Sequence, residues 1–173
     1  MNRMLTHALG LSAGLLLASS AWGAAGHDGL MAQAASAELP VSSTVTASSC
    51  WIRQIPAPAP SGGFLVIHNA GTQPAVLNGV SSPDYGMVMM HETTQKNGMS
   101  RMSMVHQVTV PAGGQLELKP GSYHLMLEKA RDGLKVGDQV RVDFTLADGQ
   151  RLSAQCEIQP ARAMPGMRGH MKY

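Results

Sequence analysis

Aromatic residues are scarce: two Phe, three Tyr and two Trp in 173 residues. Methionine, valine and leucine must therefore fill the interior. Charge is also sparse, with 13 basic residues against 11 acidic ones. No basic cluster stands out, which argues against nucleic acid and against an anionic membrane surface as partners. Cysteine is limited to Cys50 and Cys156, and no Cys-x-x-Cys spacing points to a redox or metal-binding thiol pair. No paired acid and base, nucleophile motif or phosphate loop is present, so nothing marks the chain as an enzyme. No stretch keeps a helical period, and the apolar run over residues 8–21 is too short to span a membrane.

What is present begins with an export signal. Residues 1–23 combine a positive Arg3, the apolar run, and Ala21-Trp22-Gly23, which puts small residues at −3 and −1 of a cut before Ala24. The mature protein is expected in the periplasm, with twelve basic residues against eleven acidic once Arg3 is removed. Residues 24–43 are rich in Ala, Gly and Ser and read as a flexible lead-in carrying His27 and Met31. Residues 44–160 form the expected domain, and 161–173 a flexible tail.

The domain reads as short strands punctuated by Gly and Pro turns. Strands are expected over 44–55, 64–68, 75–80, 86–92, 102–110, 115–118, 123–128, 139–146 and 151–158. Such a pattern predicts an all-β antiparallel sandwich or barrel. Cys50 falls on the first strand and Cys156 on the last. In an exported protein they are expected to be joined as a structural disulfide.

Four residues carry the chemistry: His91, Met102, His124 and Met126. His124 and Met126 are two apart, so a strand points both to one face and Leu125 and Leu127 to the other. Imidazole and thioether are neutral, and thioether is soft, so the set suits Cu(I) rather than Mg, Ca or Mn. Zinc sites do not normally use thioether. Met87 and Met89 share the face of His91, as an apolar collar or as spare ligands. Alternation along 102–110 predicts Met104 in the core and His106 as a partly buried, hydrogen-bonded histidine, with Met102 at the rim. His68, at a strand end, reads as structural. In the tail, Met164, Met167, His170 and Met171 lie among Pro165, Gly166 and Gly169, which prevent a regular element. These four are expected to act as a mobile copper-capture arm, with His170 helping to hold Cu(II).

The gaps from His91 to Met102, His124 and Met126 reproduce H-x10-M-x21-H-x-M, and on that pattern the chain resembles the periplasmic copper chaperones called PCu(A)C. Trp51 with Arg53, Val80-Ser81-Ser82-Pro83, Pro111-Ala112-Gly113-Gly114, the run from Leu118 to Leu127, and Gly137-Asp138 agree with it. The likeness covers about residues 45–158; the two cysteines are not part of the family's pattern. It implies a cupredoxin-like β-barrel, no catalysis, and Cu(I) carried to cytochrome c oxidase assembly, either the CuA subunit or a Sco-type protein. Two other readings stay open: a copper redox enzyme with similar ligands and a substrate pocket, and a structural β-sandwich module whose methionines are core.

Overall fold

The computed structural model describes residues 39–162. The signal segment, most of the lead-in and the four tail ligands lie outside the described residues. Ten strands follow one another: β1 Val45–Arg53, β2 Ser61–Asn69, β3 Ala75–Ser81, β4 Tyr85–Lys96, β5 Met99–Met104, β6 Val108–Val110, β7 Gln115–Leu118, β8 Tyr123–Ala130, β9 Gln139–Leu146 and β10 Arg151–Gln159. No helix among the described residues is long and apolar enough to cross a membrane.

The strands form one sheet in the order β5-β4-β8-β2-β1-β10-β9-β3-β6, with β7 paired to β2 as a branch. The two ends of this path do not pair with each other. Pairing is antiparallel except between β1 and β10. Nine of the ten strands send residues into one buried cluster centred on Phe144, Ile52, Ile67, Leu77, Leu125 and Ile158, so the sheet curls around a shared core. The exception is β5, all of whose residues are exposed.

The expected disulfide is formed. Cys50 and Cys156 stand on the neighbouring parallel strands β1 and β10 with Cα atoms 4.4 Å apart. A bulge between Ser48 and Trp51, with Ser49 at φ 54°, offsets the β1–β2 pairing by one residue there. Cys156 is fully buried among the core residues of β10.

Three differences from the sequence expectation shape the site. First, β2 starts at Ser61 rather than 64, because Ser61, Gly62 and Gly63 pair with Leu127, Met126 and Leu125 of β8. A Cβ on Gly63 would come within 3.0 Å of Leu127 and 3.1 Å of Leu125, so this strand approaches β8 only where side chains are missing. Second, β4 runs on to Lys96 and returns through Asn97-Gly98 into β5. Both turn residues have positive φ, 53° and 75°, as the tight hairpin turn matched to strand twist requires. Third, the single strand expected over 102–110 is two. Residues 105–107 leave the sheet between β5 and β6, and Val105 N–H donates to Met90 O at 2.9 Å.

The third difference corrects two expectations. Residues 105–107 break the alternation between β5 and β6, so Met104, the last residue of β5, is not core but 50 % exposed. His106, within 105–107, is exposed rather than partly buried. His68 is structural as expected: its Nε2 shares a 2.8 Å hydrogen bond with Ser48 Oγ on the neighbouring strand.

Candidate metal centre

The centre is assembled by two turns. The first is Asn97-Gly98, which sets the β4–β5 register so that Thr93 faces Met102 and His91 faces Met104. The second is Lys119-Pro120-Gly121-Ser122, where Ser122 N–H donates to Lys119 O at 3.2 Å and Gly121 has φ 80°. Proline followed by a positive-φ glycine suits a type II turn. This turn opens β8, which pairs with β4 so that His124 faces His91 and Met126 faces Met89. Directly opposed residues of an antiparallel pair lie on the same face. All four candidate ligands therefore share one face of β5, β4 and β8, while Leu125, Leu127 and Met90 line the core on the other.

The two imidazoles meet edge to face, with ring centroids 5.9 Å apart. Two rings sharing one ion through metal–nitrogen bonds of about 2 Å have centroids no more than roughly 6.5 Å apart, so this separation is compatible with one ion between them. Their nitrogens differ. His124 Nδ1 lies 2.9 Å from Ser122 O, and a carbonyl only accepts, so Nδ1 carries the proton and Nε2 keeps its lone pair. Fixing one ring nitrogen this way is the usual means of presenting the other to a metal. His91 Nδ1 is buried with no hydrogen-bond partner among the described residues. An orphaned buried nitrogen is costly unless something else satisfies it, and a metal ion would.

Burial pushes the His91 pKa down, with the His124 ring adding to the effect and Glu128 opposing it. The neutral, metal-binding form is therefore favoured. In the metal-free protein the His91 ring is expected to titrate below an ordinary histidine when followed by NMR. Replacing His124 with Ala should move it partly back up, leaving the larger burial effect in place. The sign for stability follows: as pH falls through the ordinary histidine range the unfolded chain takes up this proton first, so acid erodes stability.

Met102, His124 and Met126 line a cleft of about 260 Å³. Its far wall is Arg53, Ile55, Pro60 and Phe64. Phe64 packs against Trp51 at 4.5 Å, and the Arg53 guanidinium lies 5.4 Å from its ring centre. The ring lies over Gly62, where a Cβ would meet it at 3.0 Å. In the sequence Trp51 and Arg53 stand out only through the resemblance; the place of Arg53 in the cleft wall, and of Trp51 against Phe64, depends on β2 pairing between β1 and β8. His91 and His124 also border a small apolar crevice with Leu77, Met90, Val108 and Leu118, which accounts for the burial felt by His91.

Met102 is 49 % exposed, and His91, His124 and Met126 are half-buried. Among the described residues no group of three or more His, Cys, Asp or Glu side chains could hold a metal. The thioethers of Met102 and Met126 stand on the same face as the histidine pair, and thioether donors favour a soft monovalent ion.

A family model described as "Putative lipoprotein LpqE-like" matches residues 28–158. The chain belongs to the LpqE-like family. The chain is similar to the protein named "Putative lipoprotein Lxx21020" of Leifsonia xyli subsp. xyli, 31 % identical over 109 residues, and to protein RP573 of Rickettsia prowazekii, 27 % identical over 89. The matches take in 61 % and 51 % of this chain and 63 % and 49 % of those proteins, so the chain spans less than two thirds of one curated relative it matches and just under half of the other. Among solved structures, CuI-DR1885 of Deinococcus radiodurans is 30 % identical with a TM-score of 0.53, covering 75 % of this chain and 85 % of that one. The apo PmoF2 PCuAC domain is 16 % identical with a TM-score of 0.59, covering 73 % and 97 %; at that identity the likeness speaks for the fold. The LpqE-like chain thus has the all-β, cupredoxin-like architecture of PCu(A)C domains, as its ligand spacing led one to expect.

Proposed function

We propose that this LpqE-like protein is an exported copper chaperone that binds one Cu(I) through His91, Met102, His124 and Met126 and releases it to an acceptor. The observation that carries the reading is the pair of ring nitrogens. His124 is held through Nδ1, which leaves Nε2 for a metal, and His91 presents a buried Nδ1 that no group among the described residues satisfies. The relative named as CuI-DR1885 supports the choice of ion, and the thioethers beside the rings support it chemically. The Cys50–Cys156 bond fits an oxidising compartment such as the periplasm.

Handover follows from exposure. Met102 sits on β5, which packs nothing into the core, so an acceptor's ligand can replace its thioether first while the histidines still hold the ion. An acceptor in cytochrome c oxidase assembly, the CuA subunit or a Sco-type protein, is the partner class in this proposal. Anaerobic titration with Cu(I) against a competing chelator tests it. One tight equivalent, lost in a His91→Ala, His124→Ala variant, is expected. A chain that binds no Cu(I) in competition, or keeps the tight equivalent without both histidines, would be a structural module or bind elsewhere.

The tail belongs to the proposal as a capture arm through Met164, Met167, His170 and Met171, with Cu(II) held at His170 before reduction. Tethering raises the effective copper concentration near the main site. Deleting residues 161–173 is expected to leave the melting temperature nearly unchanged while lowering copper stoichiometry or slowing uptake. Equal stoichiometry and uptake rate for both Cu(I) and Cu(II) would remove the tail from the mechanism.

A further inference from the structure

The described residues expose six large apolar side chains, and four of them are methionines of β4 and β5: Met87, Met99, Met102 and Met104. Single exposed apolar residues are ordinary. Four of one type on one hairpin, in a protein whose core is mostly Val, Leu and Ile, call for another cause. Register sorts them. Met99 faces Lys96, so it lies on the other side of the hairpin from His91. Met87 and Met89 alternate with His91 on the metal-site face, Met89 faces Met126, and Met104 faces His91.

His91 is therefore flanked across both neighbouring strands, by His124 on β8 and by Met104 on β5. Two residues back along β4, Met89 is directly opposite Met126 and diagonal to Met104. Opposed residues have Cβ atoms about 4.5–5.5 Å apart and diagonal ones roughly 7–8 Å, within reach of long side chains. Methionine is unbranched with three rotatable bonds, so thioethers so placed can converge on one ion. A collar built for packing would be covered, whereas Met87 is 41 % and Met104 50 % exposed.

We propose that Met89 and Met104, together with Met126 and with Met87 at the outer end, form a second Cu(I) position made of thioethers alone, beside the histidine pair. This rests on the copper-chaperone reading and deepens it. Glu128 faces Met87 on this side of the sheet and lies outside the set; the neutral, soft sulfurs of Met89, Met104 and Met126 select Cu(I) over Cu(II) and zinc. Met126 is common to both positions, so an ion held by Met89, Met104 and Met126 reaches His91 and His124 by forming one bond before breaking another. Copper stays Cu(I) throughout, and no electron is transferred. The position gives Cu(I) a weaker station beside the tight one; while the first ion holds Met126, a second waits on Met89 and Met104, with Met87 at the outer end.

The test replaces Met89 and Met104 by Leu in the full chain, keeping bulk and removing both sulfurs. Anaerobic Cu(I) titration against a competing chelator should show one equivalent fewer than the parent. The affinity of the tightest equivalent should change by no more than about twofold, because its four ligands are untouched. The copper that the parent binds and the double variant does not, read as the difference between their X-ray absorption spectra, should show sulfur neighbours only. Met104→Leu alone, at an exposed position, should weaken the same equivalent and guards against a folding defect in the double variant. Unchanged stoichiometry overturns the proposal. Loss of the tightest equivalent also overturns it, because Met89 or Met104 would then belong to the main site. Failure of the underlying reading looks different: the tightest equivalent would survive His91→Ala, His124→Ala, whatever Met89 and Met104 do.

Discussion

Replacing Met102 and Met126 together by leucine is expected to weaken Cu(I) binding by at least about 100-fold, since loss of a mere outer-shell partner already costs about 10–100-fold. Leucine keeps the apolar bulk, so the change isolates the sulfurs. The fold should be indifferent at Met102, which is half exposed on a strand outside the core. Met126 is half-buried between Gly62 of β2 and Met89 of β4, and leucine fills a similar volume there. The melting temperature should therefore stay close to the parent's while competition with a chelator shows the loss. Met104, directly across from His91, and Met89, directly across from Met126, are nearby thioethers that could partly substitute. If the double variant retains affinity, adding Met89→Leu and Met104→Leu tells whether substitution or a wrong assignment is responsible. Affinity that survives all four replacements would sink the thioether ligand set.

The largest effect on stability is expected at the disulfide. Cys50 and Cys156 are 106 residues apart in sequence, so the bond restrains almost the whole described chain in its unfolded state. The chain-entropy model gives about 4–5 kcal/mol for a loop of this size, and removal of native disulfides typically costs about 2–5 kcal/mol. At about 4 °C per kcal/mol for a domain of this size, the Cys50→Ala, Cys156→Ala protein should melt roughly 10–20 °C lower. Copper binding should persist well below the new transition, because the ligands stand on β4, β5 and β8, away from the β1–β10 pair. A variant that melts with the parent, or two free thiols in the protein isolated from its compartment, would contradict this.

Much of the fold was legible because the strands are short, alternating and punctuated by Gly and Pro. The inward set Leu125 and Leu127 against the outward set His124 and Met126 followed from a period of two. The same rule failed at Met104 and His106 because it was extended through residues 105–107, where the chain leaves the sheet. A better signal was present in Asn97-Gly98. That dipeptide is a strong hairpin marker, and a two-residue turn there pairs Lys96 with Met99. Counting outward then gives Thr93 with Met102 and His91 with Met104, the register observed. Less was available for the cleft wall. Arg53 and Phe64 are brought to Met126 by the pairing of β1 with β2 and of β2 with β8, long-range contacts that no local pattern encodes. The orphaned Nδ1 of His91 is likewise a property of burial by residues distant in sequence.

The central claim is that two imidazoles and two thioethers hold one Cu(I). It is tested most directly by X-ray absorption spectroscopy of the full chain loaded anaerobically with one equivalent of Cu(I). The expected spectrum is that of a monovalent ion with two nitrogen and two sulfur neighbours, losing its nitrogens in His91→Ala, His124→Ala and its sulfurs in Met102→Leu, Met126→Leu. A first equivalent bound by sulfur alone, or by nitrogen and oxygen without sulfur, would contradict the account.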